Sequence, residues 1–173
     1  MQKIFYIVTF TAFLFSACSS GVPDSSSVEK EKINLSDFGT PIELSVLKGS
    51  KAIKGAEPED MLGMYSIFST KVKAPEHFAV EVICTTLPGM TLKEVLNEKG
   101  GEIKMESGFS KIMEENRDGF FFETKEINGD FNYSFIKVFV TEDAYMIVSP
   151  EPKSDGNTTM EEAKFMYDIL NAK

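Results

Sequence analysis

One histidine and two cysteines bound the nucleophilic chemistry open to this chain of 173 residues. A cysteine–histidine pair would have to join Cys84 to His77. If residues 77–84 form one strand, their odd spacing puts the two side chains on opposite faces. Seven residues of extended chain also separate them by about 23 Å. The expectation is that His77 stands exposed at a strand start and that Cys84 is a small buried hydrophobe. Metal chemistry is no better supplied, because one histidine and one available cysteine do not make a zinc site of the usual ligand types. Asn128-Gly129-Asp130 and Asp155-Gly156-Asn157 offer oxygen ligands but lack the calcium-loop spacing and its glutamate at the twelfth position, so both read as turns. The adjacent carboxylates Glu114-Glu115, Glu142-Asp143 and Glu161-Glu162 fall in turns or at a helix start. At a helix start, negative charge is favoured by the helix dipole, which is a sufficient structural reason for Glu161 and Glu162. There is no glycine-rich phosphate loop and no GxSxG elbow. No catalytic residue, no metal site and no cofactor is expected, and the chain is not expected to be an enzyme.

The other cysteine points to a different chemistry. Lys3 gives a short positive region, residues 4–15 run IFYIVTFTAFLF without a charge, and Ser16-Ala17 places small residues before Cys18. That order is the order of a secretory signal. The apolar run is short of the ~20 residues a membrane-spanning helix needs. Phe15-Ser16-Ala17-Cys18 is similar to a bacterial lipobox, in which the cysteine is lipidated and becomes the first mature residue. It departs from the usual pattern at Phe15, where leucine is common. The segment 1–17 is thus expected to be a lipoprotein signal peptide, and Cys18 the lipidation site that holds the protein at a membrane. Ser19 follows Cys18 where some bacteria place a charged inner-membrane retention residue, which favours the outer membrane of the cell envelope. Residues 19–27 read SSGVPDSSS, too poor in bulky apolar side chains to offset the entropy of ordering. With the alternating charges of residues 29–32 they make residues 18–32 an expected flexible tether, leaving residues 33–173 as a single domain.

Composition agrees with a soluble domain. Apolar residues make up 42% and charged residues 26%, which excludes collagen-like, low-complexity and multi-spanning chains. Lys and Arg number 18 against 27 Asp and Glu, a net charge of -9 that speaks against nucleic-acid binding. Loss of Lys3 with the signal takes the charge to -10, and the only arginine in the chain is Arg117.

The patterning predicts an α+β fold. Residues 42–46 alternate apolar and polar as a half-buried strand does. Residues 49–63 read as irregular, with one helical turn near 57–61. Residues 64–72 and 78–84 are the next strands. Thr91 with Glu94 fits a capping box, opening a helix that Lys99-Gly100-Gly101 closes. From residue 108 to 149, four strands alternate with short polar turns, which is an antiparallel meander. Phe131, Tyr133, Phe135, Lys137 and Phe139 share one face of its third strand. Thr159 with Glu162 makes a second capping box, and Met160, Ala163, Tyr167 and Leu170 recur at helical spacing after it.

Phe120-Phe121-Phe122 is the most unusual run. Three aromatics in succession suit a strand covered on both sides. Alternatively Phe121, with Tyr133, Phe135 and Phe139 beside it, lines an apolar groove or partner surface.

A strand pair, a capped middle helix, a long antiparallel meander and a closing amphipathic helix resemble the PsbP-like fold, including bacterial envelope lipoproteins of the DcrB type. The stretches that carry the resemblance are residues 42–48, 91–99, 119–149 and 159–171. The resemblance implies an antiparallel sheet flanked by helices and a role in binding another protein. It transfers no functional residue, because it rests on topology. The function expected is therefore a non-enzymatic, lipid-anchored envelope module with a protein partner. The alternative is a carrier or sensor of a small apolar ligand, which requires a closed apolar cavity.

Overall fold

The computed structural model of the chain describes residues 21–57, 59–61, 63–153 and 157–172. The expected signal peptide, Cys18 and most of the 154–157 loop lie outside the described residues.

The α+β expectation holds. Among the described residues, ten strands and two α-helices form three layers. The central layer is an antiparallel sheet of eight strands. These are β3 (Lys51–Lys54), β4 (Glu59–Met61), β5 (Tyr65–Lys73), β6 (Ala79–Thr85), β7 (Phe109–Asn116), β8 (Gly119–Lys125), β9 (Phe131–Val140) and β10 (Tyr145–Pro150). Their order is β3-β5-β6-β10-β9-β8-β7, with β4 also pairing β5. The meander β7 to β10 thus folds back until β10 lies against β6, Met146 opposite Cys84. Helix α1 (Leu92–Met105) carries the chain from the middle of the sheet to its β7 edge. Helix α2 (Met160–Leu170) returns across the other face. Beside α2 sits a separate hairpin of β1 (Lys30–Asn34) and β2 (Glu43–Leu47).

Period-two alternation decides which layer each side chain joins. On β9, Phe135 faces α2 while Ile136 and Val138 face α1. On β10, Met146 and Val148 face α2 and Tyr145 faces α1. The triple phenylalanine divides the same way: Phe121 joins the core under α2, and Phe120 and Phe122 join a smaller cluster with Ile103 of α1. All three are buried, so β8 is covered on both sides. Burying each such ring contributes about 1.5–3 kcal/mol.

Both capping boxes form. Thr91 Oγ1 accepts from the Glu94 amide at 3.3 Å, and Thr159 Oγ1 accepts from the Glu162 amide at 3.3 Å. Each glutamate reaches back to the amide of its threonine.

Four expectations need correction. First, α1 does not stop at Gly100-Gly101 but continues to Met105. Gly100 is buried against the sheet: a Cβ there would lie 3.2 Å from Phe120 Cζ. The glycine serves packing rather than capping, and one more turn buries Ile103. Second, residues 49–63 are not wholly irregular, because β3 and β4 pair with β5 and no helical turn forms near 59–61. Third, the expected tether boundary at residue 33 falls inside β1. The alternating charges of residues 29–32 are also a strand pattern, and opposite charges meet across the hairpin as Lys32–Glu43 and Lys48–Glu29 ion pairs. Val22 and Val28 already pack against the main core. Fourth, Met160 is 43% exposed while Ala163, Tyr167 and Leu170 are buried, so the apolar stripe of α2 starts one turn later.

Candidate functional site

The two residues that would make a dyad are far apart. His77 lies in the turn before β6 with φ of 58°, and Cys84 is near the far end of that strand. At ~3.3 Å per residue the strand from Ala79 to Cys84 alone spans about 17 Å. Cys84 is buried in the main core, and burial pushes its thiol up to about 11. A thiol so placed is not a nucleophile near neutral pH. Among the described residues, no three His, Cys, Asp or Glu side chains converge as metal ligands would.

The aromatic group singled out by sequence does not form one surface. Phe121 and Phe135 are buried under α2, where both pack on Tyr167 with ring centres 6.0 and 5.4 Å away. Tyr133 stacks on Phe121 at 6.5 Å and is half-buried at the margin of the core. These three fill the space in which an apolar groove was expected. Phe139 instead lines an open cleft, together with Lys137 of the same face and residues of other elements.

That cleft, about 490 Å³, lies between the β7–β8 turn, the C-terminal end of α2 and the β1–β2 hairpin. Its architecture follows from a short turn. Arg117-Asp118 is a two-residue connection between paired Asn116 and Gly119. Gly119 must be glycine, since a Cβ would meet the Ile136 carbonyl oxygen at 2.2 Å. The close approach sets Gly119 opposite Lys137 on β9. Lys137 therefore stands beside Asp118, and its ammonium donates to Asp118 Oδ2 at 2.8 Å. It also donates to Asn171 Oδ1 at 2.6 Å, and Asn171 is the C-cap of α2. The last turn of α2 carries no basic residue of its own. Lys137 supplies that positive charge from the sheet, where the helix dipole favours it.

Lys137 is 6% exposed, and its ammonium sits 5.6 Å from the centre of the Phe139 ring. The remaining charges of the cleft are Lys32 and Glu43, paired at 2.8 Å, and Arg117. Among the described residues Arg117, exposed at the rim, makes no hydrogen bond or ion pair. Among the described residues the cleft thus has three cations against two anions, in a chain with a net charge of -9.

The same end of β7 is tied to α2 by two further contacts, braced by a third within β7. Lys164 donates to Glu114 Oε2 at 2.8 Å, and Asn116 Nδ2 donates to Tyr167 Oη at 3.0 Å and to Glu114 Oε1 at 3.0 Å. The hydrogen bond from Lys164 outweighs the opposing effect of burial and holds the Glu114 carboxyl below its ordinary value. The wall of the cleft is therefore fixed by paired side chains, and Arg117 is left over.

A second cleft of about 550 Å³ includes His77, Lys73, Glu151, Lys153 and Glu162. Its charges answer one another: Glu151 pairs Lys71 and Lys73, and Lys153 pairs Glu162. With Glu76 also lining it, anions outnumber lysines.

The sequence signal that could have found the first cleft was the single arginine set in a two-residue turn. The lysine that breaks the aromatic face of β9 at position 137 was the other. No family model matches the chain, no curated protein matches its sequence, and no solved structure matches its fold.

Proposed function

We propose that the chain is a lipid-anchored, non-catalytic module of the bacterial cell envelope, tethered through Cys18, that binds a partner protein. The observation that carries this reading is the cleft beside α2. Its ionisable groups are paired with one another except Arg117, which equips it to hold an oppositely charged group rather than to move a proton. The lipobox-like Phe15-Ser16-Ala17-Cys18 supplies the envelope setting, with the outer membrane favoured by Ser19. The PsbP-like, DcrB-type resemblance enters as topology alone: an antiparallel sheet with α1 on one face and α2 on the other is consistent with it. A carrier of small apolar ligands needs an enclosed apolar cavity between sheet and helix, where Phe121, Phe135 and Tyr167 instead pack together.

Two experiments test the two halves of the reading. Cys18→Ala is expected to shift the protein out of the membrane fraction or stall its processing, and unchanged fractionation overturns the anchor. Affinity capture of the native lipoprotein from crosslinked membranes is expected to return a reproducible envelope protein. Recovery of nothing above background overturns the partner-binding role.

A further inference from the structure

We infer that the cleft between the β7–β8 turn and the end of α2 is a recognition site for a single carboxylate carried on an apolar body. This deepens the partner-binding reading and rests on it.

Three observations lead there. The first is charge. Lys32 and Lys137 are each matched by a carboxylate, Glu43 and Asp118, at 2.8 Å. Arg117 is the surplus cation. One surplus positive charge suits a monoanion. A dianion such as phosphate brings a second negative charge that Glu43 and Asp118 repel.

The second is donor geometry. A guanidinium presents a planar fork that matches the two oxygens of a carboxylate. Lys137 has three N–H donors, and Asp118 and Asn171 take two of them. Its third donor has no acceptor among the described residues, and the arginine stands at the rim of the same cleft. The ammonium is already held by the turn and the helix cap, so binding needs little further ordering of that group.

The third is the apolar part of the lining. Phe139, Leu170 and Ala172 complete the cleft beside the charged groups. An aromatic or branched aliphatic side chain next to the carboxylate has the part-exposed Phe139 ring and Ala172 methyl to cover, with Leu170 almost fully buried beside them. The chain-terminal carboxylate of a peptide ending in an apolar residue has this chemistry, and so does a free apolar carboxylic acid.

The test uses the full-length protein in detergent, observed by amide nuclear magnetic resonance and titrated with four probes. N-acetyl-phenylalanine and the tripeptide Gly-Gly-Phe carry the carboxylate, N-acetyl-phenylalanine amide lacks it, and inorganic phosphate carries charge without an apolar body. Saturable shifts are expected at Asp118, Phe139, Asn171 and Ala172 with the two carboxylates. The amide and phosphate are expected to leave these signals in place. A clear preference for Gly-Gly-Phe assigns the site to a protein chain end; a clear preference for N-acetyl-phenylalanine keeps the carboxylate site but overturns its link to the partner-binding reading. Arg117→Gln, at an exposed position without partners in the fold, is expected to weaken binding by about tenfold or more while the spectrum elsewhere is unchanged. Equal shifts from the amide, no saturable shift from either carboxylate, or unchanged affinity in Arg117→Gln overturns the inference. If these fail while affinity capture still returns a partner, the carboxylate assignment falls and the partner-binding reading stands.

Discussion

Gly100 and Gly101 are adjacent, both helical, and predicted to respond to alanine with opposite signs. Each glycine lowers the stability of α1 by about 0.5–1 kcal/mol relative to alanine, through the entropy of its unfolded backbone. At Gly101 nothing lies within 4 Å of an added Cβ. Gly101→Ala should therefore gain most of that amount, which for a protein of this size raises the melting temperature by about 2–4 °C per kcal/mol. At Gly100 the same gain is opposed by Phe120, whose Cζ and Cε2 would lie 3.2 and 3.6 Å from the new methyl. The Phe120 ring is 6% exposed and packed among Ile103 and Phe122, so it has little room to give. Overpacking of this kind costs about 1–3 kcal/mol, enough to cancel the gain and reverse the sign. Urea unfolding of the two variants beside the wild type measures both. Stabilisation by Gly101→Ala with destabilisation by Gly100→Ala is the expected pair. Destabilisation by Gly101→Ala would refute the reasoning, because alanine is penalised there only if the helix ends in a left-handed glycine cap.

Other outcomes follow from the same packing. Cys84 should resist alkylation in the folded protein at neutral pH, since burial pushes its thiol up to about 11, and react fully in denaturant; quantitative labelling of the native state contradicts this. Tyr167→Phe removes the hydroxyl that accepts from Asn116 at 3.0 Å while keeping its ring against Phe121 and Phe135, and should cost about 1 kcal/mol in urea unfolding. Glu151 should contribute to acid sensitivity. Burial alone would raise its carboxyl, but hydrogen bonds from Lys73 and Lys71 outweigh burial and hold it below the ordinary glutamate value of 4.5. Its stabilisation is therefore fully present above that value and lost as pH falls through the lower, folded one. The stability gap between wild type and Glu151→Gln should be constant near neutrality and close on acidification; a gap that widens in acid contradicts the assignment.

Local signals were the readable part of this sequence. Thr91 and Thr159 each had a glutamate three residues on, and both boxes formed because the chemistry is complete within four residues. The meander was equally legible, since its turns at 116–119 and 128–130 are polar and its strands alternate. What misled were residues with two local meanings. Gly100-Gly101 reads as a helix stop, and only the Phe120 ring across the interface makes Gly100 a packing residue. The charges at 29–32 suit a solvated spacer, and only Glu43 and Lys48, brought opposite by the hairpin, turn them into a strand. The site was least visible. In the sequence Lys137 is one member of an aromatic face, but its role comes from Asp118 and Asn171, 19 and 34 residues away. Phe121 and Phe135 drew attention as aromatics, and their place was settled by α2 closing over them.

A partner protein seated in the Arg117–Lys137 cleft, as proposed, lies against Ala172. A photo-activatable amino acid at Ala172, which lines the cleft without holding it together, reports on that directly in living cells. The same probe at Lys93, exposed on α1 across the sheet, is the control. Irradiation is expected to give a discrete crosslinked species from position 172, absent from position 93 and diminished when Arg117→Gln is added. Crosslinks of equal yield from both positions, or none from position 172, would contradict the account.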